Sequence, residues 1–203
     1  WERMTIQLYL GDCLEVMKSI PDKSIDAVIT DPPYGIGIAA NPFRQKFEKQ
    51  EWDCKPASSE MIREMQRVSR YQIIWGGNYF DLQPSKGFII WDKKQGIDFS
   101  SAMCEFAWSS IQKPAKIYSK HVVTAETNKI HPTQKPVSLY EFCLKFAELE
   151  TGAKILDTHL GSGSSRIACY RNGFDFVGFE IDENYCQTMD KRFNEAISQQ
   201  RLF

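Results

Sequence analysis

The sequence predicts a single α/β domain in which strands alternate with helices. Short apolar runs of strand length are followed by segments whose apolar residues recur at helical spacing. Several of these runs end in an acidic residue or a glycine-rich turn, at the edge where ligands bind in open α/β sheets. The 203 residues suffice for one such domain with a substantial core. Met4 is expected to be the natural first residue, so we take the domain as residues 4–203.

Composition is that of an ordinary globular protein, with 42% hydrophobic and 25% charged residues. Apolar runs stay short of the ~20 residues of a membrane span and no secretory signal pattern is recognised, so a cytoplasmic protein is expected. The six cysteines and three histidines are dispersed, which predicts neither disulfides nor a metal site. A net charge of −1 means that nucleic-acid binding would need a local basic surface.

The first two predicted strands both lead into acidic residues. The strand at 6–10 continues through Gly11 and Asp12 into a helix at 14–20, so Asp12 is either a ligand-binding acid or a helix N-cap. The strand at 25–30 ends in Asp31-Pro32-Pro33-Tyr34. Because proline has no N–H with which to continue a strand ladder, the chain must turn there.

The turn at 31–34 combines groups that suit one kind of ligand. Asp31 supplies a carboxylate and Tyr34 a flat ring. The fixed φ angles of Pro32 and Pro33 set the directions of neighbouring carbonyl oxygens. Two acceptors beside a ring suit an exocyclic amine whose planar base stacks on the tyrosine. Taken alone, the four residues could equally be an ordinary strand end with turn residues.

Two polar, basic segments are candidates for contact with nucleic acid. Residues 35–55 form a predicted long loop in which basic residues alternate with aromatic ones, which suits phosphate contact and base stacking. A solvated loop whose aromatic residues pack back onto the domain is the alternative. Residues 110–129 are also basic, with a short strand at 117–118. The predicted nucleic-acid contacts are Arg44, Lys46, Lys49, Lys93, Lys113, Lys116 and Lys120.

The middle of the chain adds a helix and three strands. A helix is predicted at 58–69 and a strand at 71–75, followed by Gly76-Gly77-Asn78, where a side chain or ligand could approach the backbone closely. Two further strands are predicted at 87–91 and 103–108, and the loop between them carries Lys93.

The last third of the chain carries a second set of motifs. The segment 131–136, His-Pro-Thr-Gln-Lys-Pro, precedes a helix at 137–149 and forms an anion-friendly corner. A strand at 154–156 ends in Asp157, and the glycine-rich turn 161–165 leads into a helix at 166–171. The strand at 174–179 ends in Glu180, about 20 residues after Gly161, the spacing expected of an acid that binds ribose hydroxyls. A helix at 182–197 closes the domain.

Together and in this order, these motifs resemble the β group of S-adenosylmethionine-dependent DNA amino-methyltransferases, which methylate exocyclic amines. Asp31-Pro32-Pro33-Tyr34 matches the family's catalytic motif, and it precedes the glycine loop at 157–165. Catalytic motif before cofactor motif is the order that separates this group from its relatives. The resemblance covers nearly the whole chain.

The resemblance implies a Rossmann-like methyltransferase fold: a mostly parallel seven-stranded sheet with one antiparallel strand near Phe106 and helices on both faces. In similar enzymes Asp12 faces the cofactor adenine, Glu180 holds the ribose, and Asp157 lies near the methionine ammonium. Two glycines let the chain approach the cofactor, and Lys135 with two serines surrounds the methionine carboxylate. The implied cofactor contacts are Asp12, Asp31, Lys135, Asp157, Gly161, Ser162, Gly163, Ser164 and Glu180.

Two positions depart from the family pattern. The family usually has Asp-Pro-Phe before its glycines, whereas Thr158 and His159 follow Asp157 here. His159 would replace an aromatic residue of the cofactor pocket with a polar ring, which we expect to alter cofactor affinity without abolishing binding. Ser164-Ser165 replaces the family's usual pair of threonines and keeps the hydroxyls.

Adenine N6 is the favoured methyl acceptor, because aspartate in the first motif position is commoner among the adenine enzymes of the family. Cytosine N4 is the main alternative, followed by RNA or protein amines and by a noncatalytic DNA- or cofactor-binding module. Methylation at cytosine carbon 5 is disfavoured, because the Pro-Cys pair of that family does not occur.

The expected partner is double-stranded DNA from which the target base is flipped out, in a setting such as restriction-modification. The segments 35–55 and 110–129 are short for target recognition. Specificity is expected to come from these short segments themselves, from a second subunit in a homodimer, or from a separate specificity or nuclease partner.

Overall fold

The computed structural model describes residues 4–37, 53–96, 102–121 and 129–200. Of the two predicted recognition segments, 35–55 and 110–129, only the ends of the first and parts of the second fall within these ranges. Arg44, Lys46 and Lys49, predicted to contact nucleic acid, lie outside the described residues.

Within the described residues, eight strands form one sheet in the order β1-β8-β7-β2-β3-β5-β4-β6. The strands are β1 (Ile6–Leu10), β2 (Ile25–Thr30), β3 (Ser69–Trp75), β4 (Gly87–Asp92), β5 (Cys104–Ser109), β6 (Lys116–Ser119), β7 (Lys154–Asp157) and β8 (Asp175–Glu180). Every pairing that does not involve β5 is parallel. Strand β5 runs antiparallel to both of its neighbours, β3 and β4.

The sheet has one strand more than the family resemblance implied. The additional strand is β6, which pairs with β4 at the edge through residues 116–119. The antiparallel strand expected near Phe106 is confirmed, since Phe106 lies in β5. Because β5 is reversed, its first residues meet the carboxyl ends of the other seven strands at the same edge of the sheet.

Helices cover both faces of the sheet, as predicted. The helices are α1 (Cys13–Met17), α2 (Ser59–Val68), α3 (Val137–Ala147), α4 (Ser164–Asn172) and α5 (Glu183–Gln200). Helices α1 and α2 pack on one face, where Met17 and Met65 are fully buried. Helices α3, α4 and α5 pack on the other face around a larger cluster that includes Leu139, Ala168 and Phe193.

Helix boundaries follow local chemistry. Helix α2 begins where the Ser58 hydroxyl accepts a hydrogen bond from the Met61 amide at 3.1 Å. Helix α3 ends two residues earlier than predicted, because Glu148 adopts the left-handed conformation with φ of 52°. Among the described helices, none is long and apolar enough to span a membrane.

Candidate active site

A cavity of about 990 Å³ lies along the edge where the carboxyl ends of the parallel strands meet. In the order of the strands, the cavity is lined by Asp12 after β1, Glu180 at the end of β8, residues 158–162 after β7, Asp31 after β2 and Gly76 after β3. The start of the reversed strand β5 adds Glu105 to the same lining. The topology thus gathers acids that are far apart in the chain into one elongated pocket.

The 31–34 turn is fixed by hydrogen bonds to residues 53 and 57. One carboxylate oxygen of Asp53 accepts hydrogen bonds from the backbone amides of Tyr34, at 2.8 Å, and Gly35, at 3.1 Å. The carbonyl oxygen of Pro33 accepts from the Ala57 amide at 3.0 Å. Asp53 is buried, so its carboxylate fixes the turn from inside the protein.

A chain of alternating charges lines the part of the cavity around Asp31. The Lys135 ammonium lies 2.5 Å from Asp31 Oδ2 and 2.9 Å from Glu105 Oε2. Glu105 Oε1 in turn pairs with the Lys93 ammonium at 2.6 Å. The Lys135 side chain is only 3% exposed, so these pairs are little screened by solvent.

Burial and the neighbouring charges act in opposite directions on the pKa values of Asp31, Glu105 and Lys135. Burial raises the pKa of the Asp31 carboxyl, against the lowering effect of Lys135. Burial would also raise the pKa of Glu105, but Lys135 and Lys93 lower it to about 2. For Lys135, the loss of solvation is outweighed by the two carboxylates, which raise its pKa. The ammonium is therefore a permanent charge between the two acids.

Tyr34 lies beside Asp31 in an aromatic cluster. Its hydroxyl donates a hydrogen bond to Asp31 Oδ1. Burial, followed by the charge of Asp31, raises the pKa of this phenol well above its usual value, so it stays a donor. The Tyr34 ring stacks on Tyr79 with centroids 5.1 Å apart, and Phe80 meets it edge-on.

Gly76 makes room for this ring. Its φ of 69° is in the left-handed region, and a Cβ added here would lie 2.2 Å from a carbon of the Tyr34 ring. The close approach expected at the 76–78 segment is therefore made by a side chain of the protein itself.

The opposite end of the cavity carries two further predicted residues. The Asp12 side chain accepts from the Leu14 amide at 2.8 Å and caps helix α1, and Asp12 also lines the cavity. Glu180 accepts from the amide of Gly161 at 2.7 Å and from two amides of the following turn. Burial raises the pKa of the Glu180 carboxyl, although these amides act against the shift.

The remaining predicted cofactor residues divide between lining and support. Ser162 lines the cavity together with Gly161. Ser164 is buried, and its hydroxyl donates to the Lys135 carbonyl at 2.7 Å. Gly163 packs against the Met189 side chain, which a Cβ would overlap at 2.3 Å. Asp157 is also fully buried, with its carboxylate behind the cavity wall.

The described lysines predicted to contact nucleic acid lie at two edges of the sheet. Lys93 and Lys120 follow the carboxyl ends of β4 and β6; Lys93 lines the cavity, whereas the Lys120 ammonium donates to the Ser138 hydroxyl at 2.9 Å. Lys116 begins β6, and Lys113 precedes it at the opposite edge. Lys113 pairs with Glu148 at 2.5 Å, near the end of helix α3.

Several site residues were not predicted from the sequence. Glu105 stands in an otherwise apolar strand, and this isolated charge is the signal that could have identified it. Tyr79 and Asp53 both contact Tyr34, and these tertiary contacts are not indicated by any local sequence pattern. Within the described ranges, no group of three or more His, Cys, Asp or Glu side chains could hold a metal ion.

Comparison with known proteins identifies a matching family and several relatives. Residues 71–191 match the family model of N6/N4 methyltransferases described as DNA methylase. Type II methyltransferase M.HpaI of Haemophilus parainfluenzae is 27% identical over 245 residues, covering 96% of this chain and 76% of that protein. YubD of Escherichia coli (strain K12), a proposed methylase, is 27% identical over 204 residues, covering 90% and 87% respectively.

Solved structures share the fold at low sequence identity. The M1.HpyAVI–SAM complex superposes with a TM-score of 0.63 at 22% identity, covering 94% of this chain and 100% of that one. PvuII DNA methyltransferase, described as cytosine-N4-specific, gives 0.63 at 16% identity, covering 96% and 93%. The chain therefore has the Rossmann-like methyltransferase fold.

Proposed function

The chain belongs to the N6/N4 DNA methylase family, and from this premise we propose that it transfers a methyl group from S-adenosylmethionine to the exocyclic amine of a DNA base. Adenine N6 is the favoured acceptor. The observation that carries the proposal is the position of the Asp31 carboxylate, between an aromatic cluster and a cavity that continues past Gly161 to Glu180.

The residues along the cavity fit S-adenosylmethionine. The carboxylates of Asp12 and Glu180 suit the amino and hydroxyl donors of an adenosine. Gly161 lines the cavity with a φ of 50°, and a Cβ there would lie against the His131 ring at 3.6 Å, so the absence of a side chain leaves its backbone facing a ligand. When bound, the cofactor supplies an electrophilic methyl group on a sulfonium centre. The carboxylate of Asp31, at the far end, favours a cationic centre nearby.

Asp31 is the group that acts on the target amine. Its two oxygens each receive one hydrogen bond or ion pair, from Tyr34 and Lys135 respectively. A carboxylate oxygen has two acceptor sites, so capacity remains for an amine N–H. By accepting that hydrogen bond, Asp31 keeps the nitrogen lone pair directed at the methyl group. It can also take up the proton that the methylated nitrogen loses.

The surroundings of Asp31 suit an uncharged, planar base. Tyr34 and Tyr79 form a stacked aromatic wall beside the carboxylate. Half-exposed apolar side chains line the same part of the cavity: Ile36, Met103 and Phe106. A base inside a duplex cannot reach this depth, so the target nucleotide must leave the stack. Stacking on aromatic rings offsets part of the energy of unstacking.

DNA is the proposed substrate because the family is one of DNA methylases. Lys93 and Lys120 follow the carboxyl ends of β4 and β6, but the Lys93 ammonium pairs with Glu105 and the Lys120 ammonium donates to Ser138. Their predicted phosphate contacts would require these side chains to exchange partners when DNA binds.

The test is methyl transfer from labelled S-adenosylmethionine to unmethylated duplex DNA, followed by nucleoside digestion and mass spectrometry. We expect N6-methyladenine. N4-methylcytosine would keep the reaction and change the base. If S-adenosylmethionine binds but neither DNA nucleoside is methylated, the proposed function is wrong, and RNA and protein amines become the next substrates to assay.

A further inference from the structure

We propose that His159 is a cofactor-binding residue whose ring is locked with Nδ1 protonated and Nε2 presented to the cavity as a hydrogen-bond acceptor. The inference rests on the proposed function for the identity of the ligand. The state of the ring rests on the protein alone. His159 lines the cavity directly after β7, between the Glu180 end and the Asp31 end.

A chain of buried hydrogen bonds connects His159 to Asp157. The Thr30 hydroxyl donates to Asp157 Oδ1 at 2.8 Å. The hydroxyl oxygens of Thr30 and Thr158 are 2.9 Å apart, and Thr158 Oγ1 lies 2.9 Å from His159 Nδ1. Thr30, Thr158 and Asp157 are all buried, so solvent does not compete for these bonds.

The direction of each bond follows from proton counting. An ionised carboxylate only accepts, so the single proton of Thr30 points to Asp157. Thr158 must then donate its own proton to Thr30. With that proton committed, the Thr158 oxygen can only accept from the ring, which places a proton on His159 Nδ1. A neutral imidazole carries one N–H, so Nε2 is left with a lone pair.

The Asp157 carboxylate is the acceptor that sets the direction of these hydrogen bonds, and it is itself held by further donors. Besides Thr30, its carboxylate accepts from the Ser165 hydroxyl at 2.6 Å and from the His159 amide at 3.1 Å. Burial raises the pKa of Asp157 to about 6 although these three donors act against the shift, so at pH 7.5 the carboxylate is in the ionised form that the chain requires. Burial also lowers the pKa of His159 to about 4, so the ring is neutral near pH 7.

Nε2 is available to a ligand. Among the described residues, no hydrogen bond is made by this nitrogen, whereas Nδ1 is used. The ring is largely buried and its exposed part faces the cavity, with the Asp12 carboxylate the nearby charge. An acceptor at this point suits a hydroxyl, amino or ammonium donor, the three donor types of S-adenosylmethionine.

The two departures from the family pattern, at 158 and 159, form one hydrogen-bonded unit. A proline at 158 would have no hydroxyl to relay the bond, and a phenylalanine at 159 would have no nitrogen to receive it. Thr158 and His159 therefore act as a unit, in which Thr158 is a positioning residue and His159 is the group that contacts the ligand.

The first test reads the ring without any ligand. Nitrogen NMR of the apoprotein at pH 7.5 should show the His159 ring protonated at Nδ1 and unprotonated at Nε2. Thr158→Val should release this preference and Thr158→Ser should preserve it. A wild-type ring that carries its proton on Nε2 would overturn the inference, whatever the enzyme's activity.

The second test is calorimetric titration with S-adenosylmethionine. His159→Phe should weaken binding about 2- to 10-fold, the range for one lost hydrogen bond. Thr158→Val should weaken it to a similar extent, and the double variant no further, because both changes remove the same contact. Thr188→Val, which removes a hydroxyl on the exposed side of helix α5, is the matched control and should bind normally.

The outcomes separate the two proposals. If the wild type binds S-adenosylmethionine and His159→Phe binds it equally well, only the role of His159 is wrong. If the wild type does not bind it, the proposed function fails, while the NMR result still decides the state of the ring.

Discussion

Replacing Gly76 with alanine should disturb the 31–34 turn through a single steric contact. The new Cβ would lie 2.2, 2.4 and 2.7 Å from three carbons of the Tyr34 ring, distances at which the ring must move. The ring cannot shift freely, because it stacks on Tyr79 and its hydroxyl is bonded to Asp31. Gly76 itself is fixed by its amide, which donates to the Phe106 carbonyl at 2.8 Å.

The expected cost has two parts. A non-glycine residue at a φ of 69° costs about 1–2 kcal/mol in backbone strain. Overpacking against Tyr34 adds about 1–3 kcal/mol. Gly76→Ala should therefore lower the free energy of unfolding by about 2–5 kcal/mol, which leaves most domains of this size folded.

Gly152→Ala is the matched control. Gly152 also has a left-handed φ, of 87°, but a Cβ there meets nothing within 4 Å. This variant should carry the backbone strain alone, about 1–2 kcal/mol. Urea unfolding measures both variants, and methyl-transfer assays should show a loss of activity only for Gly76→Ala.

A double-mutant cycle isolates the contact with the ring. In a Tyr34→Ala background the clash is gone, so Gly76→Ala should cost only the strain of about 1–2 kcal/mol. Equal costs of Gly76→Ala in the presence and absence of the Tyr34 ring would refute the steric reasoning.

Three further predictions concern buried charges. Lys135→Met should lower the free energy of unfolding by about 3–5 kcal/mol in urea titrations, because the carboxylates of Asp31 and Glu105 lose their shared cation; a loss below about 1 kcal/mol would contradict this. Asp53→Ala should cost about 1–3 kcal/mol by leaving two turn amides unsatisfied, and Asp53→Asn should recover most of it because an acceptor oxygen remains. Burial raises the pKa of Asp157 from 3.8 to about 6, so its contribution to stability is fully present below pH 3.8 and is lost as the pH rises through 6. The stability of the wild type relative to Asp157→Asn should thus fall by about 3 kcal/mol over that interval, and a difference that stays flat with pH would count against the shift.

Much of the fold was predictable because its signals are local. The run 25–30 is apolar and β-branched, and two prolines end it, so both the strand and the turn at Asp31 follow from short-range chemistry. The strand–glycine turn–helix order around Gly161 likewise follows from local signals, and this turn lines the cavity. Such features need no knowledge of distant residues.

The contacts within the site depend on strand order and direction, which local patterns do not encode. Glu105 pairs with Lys135, which also contacts Asp31. This pairing is possible because β5 is reversed, so that its first residues lie at the edge where the other strands end. The polarity of the chain from Asp157 to His159 depends on Thr30, more than 120 residues away in sequence. The sequence showed that His159 departs from the family pattern, but it did not predict the hydrogen bonds that orient its ring.

The placement of Lys135 illustrates the same limit. The family resemblance associated it with the methionine carboxylate of the cofactor. In the protein its ammonium lies against Asp31 and Glu105, and its backbone carbonyl accepts from Ser164; the contact with the cofactor stays a prediction. A sequence motif predicts the region of the fold in which a lysine lies, but tertiary packing determines which carboxylates its ammonium contacts.

The most direct test of the central claim is the single-turnover rate of methyl transfer to duplex DNA by the wild type and by Asp31→Ala, each saturated with S-adenosylmethionine. If Asp31 accepts a hydrogen bond from the target amine, the variant should react at least about 100-fold more slowly. The variant should still bind the cofactor through the Glu180 end of the cavity. A rate for Asp31→Ala equal to that of the wild type would contradict the role assigned to this carboxylate.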